Sequence, residues 1–322
     1  MTMRRSFLVG IGAAATGCVA CLARAADVKP AARMRRIGLL LNFMETEPSA
    51  DRLAKEFDER MRELGYVEGV NVQIERRFAG TVPERLRTFF AELVASQPEV
   101  IVISGSATAA LRGNSTQIPI VAMGDDLVGW GLANSLARPS GNVTGVSIES
   151  PDLVLKRLQL LKEAAPQIQR VTVLQCPLQR AAFPGLRAAA DGLGVTPLPV
   201  TVHSAEQAEA ALAELKSSTA DALLVLDCLW NHEQRSVTAL PASYYSPGFV
   251  REGSLMSYSA DWREVVRMLV YDVDEILKGA KPADIPIQQP TRFDLIINLR
   301  TAKALGLTIP RSLLLRADEV IQ

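Results

Sequence analysis

From Arg35 onward the chain alternates short, uninterrupted apolar runs with longer amphipathic stretches, and this rhythm restricts its fold more than any other feature. Arg36 to Asn42 reads as a buried parallel strand, apolar without alternation. Ser49 to Leu64 follows with Leu53, Phe57, Met61 and Leu64 at helical spacing, and Gly65 closes it as a C-terminal cap. Asn71 to Arg77 predicts a second strand and Pro83 to Ser96 a second helix, with Pro83 in its first turn. Val100 to Ile103 and Ala107 to Arg112 form a third strand–helix unit, and Ile118 to Met123 with Val128 to Leu136 a fourth. Such units with short loops specify a doubly wound α/β sheet with right-handed crossovers. Val143 to Ile148 reads as a strand leaving it.

The rhythm then restarts. A helix over Leu153 to Ala164 precedes strands at Val171 to Leu174, Thr196 to Val202 and Ala222 to Leu226. Helices near Ala181 to Leu193 and Ala205 to Leu215 lie between those strands. Two successive βα sheets of similar size argue for two lobes of one architecture, with one continuous sheet as the alternative. The last third is less regular: strands at Ser254 to Tyr258 and Phe293 to Asn298, a helix at Trp262 to Lys278, and a short one at Thr301 to Leu305.

Residues 1–25 stand apart. Arg4 and Arg5 precede an uncharged run from Val9 to Leu22, which ends at the small-x-small sequence Ala23-Arg24-Ala25. The run is too short to span a bilayer, which takes roughly 20 residues. It is expected to be a removable export signal, and Arg-Arg-Ser-Phe-Leu resembles a twin-arginine signal. A lipoprotein signal using Cys18 or Cys21 is the other reading. The expected compartment is the periplasm, where Cys176 and Cys228 are permitted a disulfide.

Lys plus Arg and Asp plus Glu both number 35, so no global charge attracts nucleic acid or an anionic membrane. His203 and His232 lie far apart, in no metal-ligand spacing. There is no Walker loop and no Gly-x-Ser-x-Gly elbow. Nothing supplies a nucleophile with its base, so no catalytic residue, metal or cofactor is assigned.

Candidate ligand-binding residues sit where strands end, since ligands of open α/β sheets collect there. In the first half these are Asn42 to Glu45, including Met44, and Gly124-Asp125-Asp126. Ser104-Gly105-Ser106-Ala107-Thr108 follows a buried strand and opens a helix, which suits a carboxylate; plain helix capping is its other reading. Asp125 and Asp126 have three open roles: acid and base in an enzyme, partners of a ligand ammonium, or caps. In the second half the strand ends are Gln175-Cys176-Pro177 and Asp227-Cys228.

Several longer segments carry a resemblance. Arg35 to Leu40, Glu63 to Gly69, Ser135 to Gly145, Ile285 to Thr291 and Ile297 to Leu307 together resemble the ABC-transporter substrate-binding proteins related to tryptophan- and tyrosine-binding receptors. The resemblance runs from about Arg35 to Glu319 and implies a type I periplasmic-binding-protein fold, two lobes joined by three crossovers. These would fall near Val146 to Ser150, Met256 to Ser259 and Pro286 to Thr291. Lobe one is then 35–147 plus 258–286 and lobe two 148–257 plus 287–322. Tyr258 matches a family stretch at the cleft. The implied function is capture of a small molecule, first an amino acid or similar carboxylate, for a membrane permease with its cytoplasmic ATPase. The protein would be a monomer. A ligand-sensing periplasmic partner of a signalling receptor is the alternative.

The chain departs from the family pattern at Cys176-Pro177, at Asp227-Cys228, and in a shortened segment from Asp227 to Pro241. With strand order 2-1-3 in the second lobe, Cys176 and Cys228 end neighbouring strands, and a disulfide between them is expected.

Overall fold

A computed structural model describes residues 33–80, 82–111, 116–148, 151–177, 183–215, 218–226 and 239–322, and residues 34–322 form one compact unit. Two sheets organise it. The first contains β1 (Arg35–Leu41), β2 (Val72–Phe78), β3 (Val100–Ser104), β4 (Ile120–Gly124) and β5 (Val143–Ser147). Its strand order is β2-β1-β3-β4-β5, and every pairing is parallel. The side chains of β1 alternate between two cores, which is why its sequence is apolar without a period. Ile37, Leu39 and Leu41 pack under α1 (Pro48–Glu63), while Leu40 faces α2 (Pro83–Ala95). Gly38 brings α2 close: a Cβ there would lie 3.2 Å from Leu93 Cδ2.

The second sheet holds β6 (Arg170–Gln175), β7 (Thr196–Thr201), β8 (Ala222–Val225), β9 (Ala242–Tyr244), β10 (Met256–Ala260), β11 (Phe293–Asn298) and β12 (Glu319–Ile321). Its order is β12-β11-β10-β9-β8-β6-β7, antiparallel only between β10 and β11. Helices α3 (Pro151–Ala164) and α4 (Phe183–Gly192) cover one face, and α5 (Ala205–Glu214) and α6 (Pro247–Arg251) the other. The sequence rhythm alone allowed one continuous sheet; the two sheets are separate.

The chain passes between the sheets three times: from β5 to α3, from β10 to α7 (Trp262–Leu277), and from residues 285–292 into β11. Helix α7 packs Val266, Leu269, Val270 and Val273 into the first core beside α1, although β10 before it belongs to the second sheet. The third passage is tied down at both ends. Gln288 pairs with β5, donating N–H to Gly145 O at 2.9 Å and accepting from Ser147 N at 2.9 Å. Glu264 accepts from Thr291 N, Thr291 Oγ1 and Arg292 N at 2.8–3.0 Å. Burial works against the Glu264 carboxylate, yet these hydrogen bonds outweigh it and hold its pKa below the usual range.

Two expected helices take other forms. Val128 to Leu136 is a series of turns: Asp126 Oδ1 accepts from Gly129 N, and Gly131 adopts φ +74°. Both glycines weaken a helix, and the Asp126 side chain offers the backbone a competing turn. Residues Gly105–Leu111 wind as a 3₁₀ helix. The short helix expected over Thr301 to Leu305 is α8 (Leu299–Ala304), and the sequence pattern passed over β9, α6, α9 (Arg311–Leu314) and β12, all too short to show a period.

Candidate functional site

A cavity of about 760 Å³ lies between the two sheets. The first sheet contributes Asn42 after β1, Gly105 after β3, Asp125 after β4 and Ile148 after β5. The second contributes Arg157 from α3, Tyr245 to Gly248 leading into α6, Ser259 and Ala260 of β10, and Asp294 and Ile296 of β11. Trp262, in the first turn of α7, lines it from the second passage.

Asn42 is 1% exposed and fixed by its neighbour on β3. Its backbone N–H donates to Ser104 Oγ at 3.3 Å, and that hydroxyl donates to Asn42 Oδ1 at 2.9 Å. Gly105 completes the arrangement, since a Cβ there would lie 2.7 Å from Asn42 Nδ2 at a backbone φ of +53°. Gly105→Ala is therefore expected to cost roughly 1–2 kcal/mol through the left-handed backbone alone, and to displace the Asn42 amide. A urea melt reads the first effect. Asp125 is held from β5: Ser147 Oγ donates to Asp125 O at 2.8 Å, and Ile148 N donates to Gly124 O at 2.8 Å.

On the other side, Arg157 is 2% exposed, and its Nε donates to Tyr258 O at 2.7 Å. A guanidinium keeps its charge at any ordinary pH, so this buried cation at the cavity wall suits a carboxylate or another anion. Acidic groups are more numerous: Glu56, Asp125, Asp261, Asp294, Asp318 and Glu319 line the same cavity. Burial, then the like charges of Asp261 and Asp318, push the Asp294 carboxyl above its ordinary range; Arg263 and Arg251 oppose this.

Of the residues singled out from sequence, Asn42, Gly105 and Asp125 come together in the cavity. Ser104 and Thr108 are buried beneath it, Ser104 holding Asn42 and Thr108 donating Oγ1–H to Gly105 O at 2.8 Å. Met44 turns aside onto Gly80 and Arg85. Asp126 accepts from its own turn and is not among the lining residues. Gln175 is buried, donating to Thr201 Oγ1 at 3.3 Å. Tyr258 stacks on Phe293, ring centroids 5.6 Å apart, against the second core. Cys176 is buried. The Ser106 side chain, Asp227 and Cys228 lie outside the described residues, and so does the expected pairing of Cys176 with Cys228. Residues 1–25 do too. Among the described residues no helix is long and apolar enough to cross a membrane, and no group of acidic, His and Cys side chains is placed to hold a metal.

Sequence reasoning passed over Arg157, Asp294 and Ser259. Arg157 reads as the polar side of an amphipathic helix. The alternation Met-Ser-Tyr-Ser over 256–259 did hold a signal, because it marks a strand with one polar face.

The family model of the ABC transporter substrate binding protein matches residues 40–321. The chain belongs to this family. A tyrosine-binding protein of Clostridioides difficile is 23% identical over 286 residues, covering 85% of this chain and 82% of the relative. Among solved structures, a Streptococcus pneumoniae ABC domain in complex with L-Trp superposes with a TM-score of 0.79 at 26% identity, over 89% of this chain and all of that one. A ligand-free, open substrate binding protein with adhesive properties from Clostridium difficile gives 0.66 at 22% identity, over 90% and 100%. The architecture of this ABC substrate-binding protein is the type I periplasmic-binding-protein fold.

Proposed function

We propose that this protein is the extracytoplasmic receptor of an ABC importer. It holds an amino acid or a similar small zwitterion between two lobes and presents it to the membrane permease. The observation that carries this reading is the cavity between the sheets, whose walls pair a buried Arg157 on one side with Asn42 and Asp125 on the other. In this reading the ligand carboxylate meets the Arg157 guanidinium and the Asn42 amide, and its ammonium meets Asp125. The three passages form the hinge. Lobe one comprises 35–147 with 261–288 and lobe two 148–260 with 289–322, since β10 through Ala260 lies in the second sheet and Gln288 pairs with β5. Two boundaries thus move from those read in the sequence, and rotation about the hinge desolvates the ligand. The protein is read as a binder without turnover, as membership of a substrate-binding family supports. The tyrosine- and tryptophan-binding relatives support an amino-acid ligand.

A thermal-shift screen of the protein without residues 1–25, against amino acids, nucleosides and sugars, tests the reading. A ligand at a hundredfold excess over Kd is expected to add about 2.7 kcal/mol of stability. Amino acids are expected to respond; a response confined to sugars or nucleosides would overturn the ligand class. Arg157→Met keeps the apolar stem in place and removes the charge. It is expected to lower affinity about tenfold or more, as loss of a hydrogen bond to a charged group does, and calorimetry with the responding amino acid measures it.

A further inference from the structure

At its second-sheet end the cavity is floored by one face of the β10–β11 pair. Ser259 lies directly opposite Asp294, and Ser257 opposite Ile296. Directly opposed residues of antiparallel strands share a face, and Ser259, Asp294 and Ile296 all line the cavity. The other face carries Met256, Tyr258, Leu295 and Ile297 into the second core. The strand pair is therefore sided, apolar inward and polar toward the cavity.

Two features of the polar side point to a ligand. Ser259 is 6% exposed, and its hydroxyl has no hydrogen-bond partner among the described residues. A buried hydroxyl left so is costly unless something else completes it. Asp294 likewise makes no side-chain hydrogen bond or ion pair among the described residues, although cations lie nearby. Arg251 is engaged by Glu319 at 2.7 Å, and Arg263 is exposed. Of the neighbouring acids, Asp318 accepts from Leu295 N and Asp261 from Arg263 N, so both are fixed in place. Four carboxylates, Asp261, Asp294, Asp318 and Glu319, thus face the Arg251 and Arg263 guanidiniums, and Arg157 reaches β10 at Tyr258 O.

We infer that this face is a second ligand subsite, which takes the distal ammonium or guanidinium of a basic amino acid. The inference rests on the amino-acid reading above and narrows it. The ligand's α-carboxylate and α-ammonium occupy the Arg157 and Asp125 end. Its side-chain cation pairs with Asp294 and donates to Ser259 Oγ. A neutral side chain of the same length would leave Asp294 unpaired under the closed cleft, so the subsite discriminates by repelling neutral ligands as well as attracting cationic ones.

Calorimetry with L-lysine, L-ornithine, L-arginine, L-norleucine, L-tryptophan and L-tyrosine tests this. At least one basic amino acid is expected to bind tenfold or more tightly than L-norleucine. Asp294→Asn is expected to reduce that ratio to within about threefold, by weakening the basic ligand and tightening L-norleucine, and to leave the ligand-free melting temperature the same or higher. Ser259→Ala is expected to lower the basic ligand's affinity severalfold. An unchanged lysine-to-norleucine ratio in Asp294→Asn overturns the subsite. Tight binding of L-tryptophan or L-tyrosine without binding of any basic amino acid overturns it too, while the receptor reading stands. If no amino acid of either kind binds, both fall.

Discussion

Gly145→Ala is expected to lower the stability of the protein by roughly 3–5 kcal/mol, the range reached when a backbone position is made impossible. Gly145 pairs with Ala122 in the β4–β5 ladder at φ +138°. A Cβ at this position would fall 1.9 Å from Ala122 O and 2.6 Å from Ala122 N. These are backbone atoms of the adjoining strand, and no side-chain rotation relieves the overlap. The two strands must separate, and the damage reaches the third passage between the sheets. Gly145 O accepts from Gln288 N, and the neighbouring Thr144 Oγ1 donates to Ile285 O at 2.7 Å. Gly131→Ala is the matched control. Its φ is +74°, and nothing lies within 4 Å of the added carbon, so it is expected to cost only the backbone term of roughly 1–2 kcal/mol. Urea denaturation of both variants decides the matter, and equal costs would show that the strand contact is not what makes Gly145 necessary.

The second large effect is a dependence of stability on pH that one residue creates. Asp272, in α7, is 0% exposed and is pushed from 3.8 to about 8, first by burial, against the Gln288 hydrogen bond and with help from Glu275. Gln288 Nε2 donates to Asp272 Oδ1 at 2.8 Å, while Oδ2 has no partner among the described residues. The folded state therefore holds this proton more tightly than the unfolded chain. Its contribution is fully present below pH 4 and is lost as pH rises toward 8, at about 1.4 kcal/mol per pH unit. The whole loss is on the order of 5 kcal/mol. Asp272→Asn keeps a carbonyl for Gln288 and cannot ionise. It is expected to be flat over the same window, more stable than the parent at pH 8, and slightly less stable at pH 5, where its amide adds a second unmatched donor. Denaturant midpoints at pH 5 and 8 measure this, and parallel profiles for the two proteins would remove Asp272 as the source. Because Gln288 also bridges to β5, the same comparison made with ligand bound shows whether ionisation reaches the hinge.

Much of the fold is legible in the order of apolar and polar residues. The buried strands β1, β3, β4 and β8 carry continuous apolar runs because parallel strands covered on both faces leave little room for polar positions. Helices α1 and α7 carry an apolar side at helical spacing because each has only one face to bury. Asn42, Gly105 and Asp125 followed from a topological rule, since strand ends of such sheets meet at the cleft. The same rule also pointed to Met44 and Asp126, which turn aside. It could not see that Asn42 consumes Ser104, or that Gly129 and Gly131 leave Asp126 to cap its own turn.

The class of fold, the order of most of its elements and the family are written in the chain itself, because each depends on local periodicity or on contiguous motifs. Which side chains share the cavity is settled only when the chain packs. Arg157, Ser259 and Asp294 lie far apart in sequence, and their meeting depends on α3 lying beside β10 and on the antiparallel register of β10 with β11. A shift of one residue in that register would send Asp294 into the apolar core and Leu295 into the cavity. The burial of Asp272 against Gln288 has the same origin, in a contact made across 16 residues of chain only when the third passage folds back onto α7.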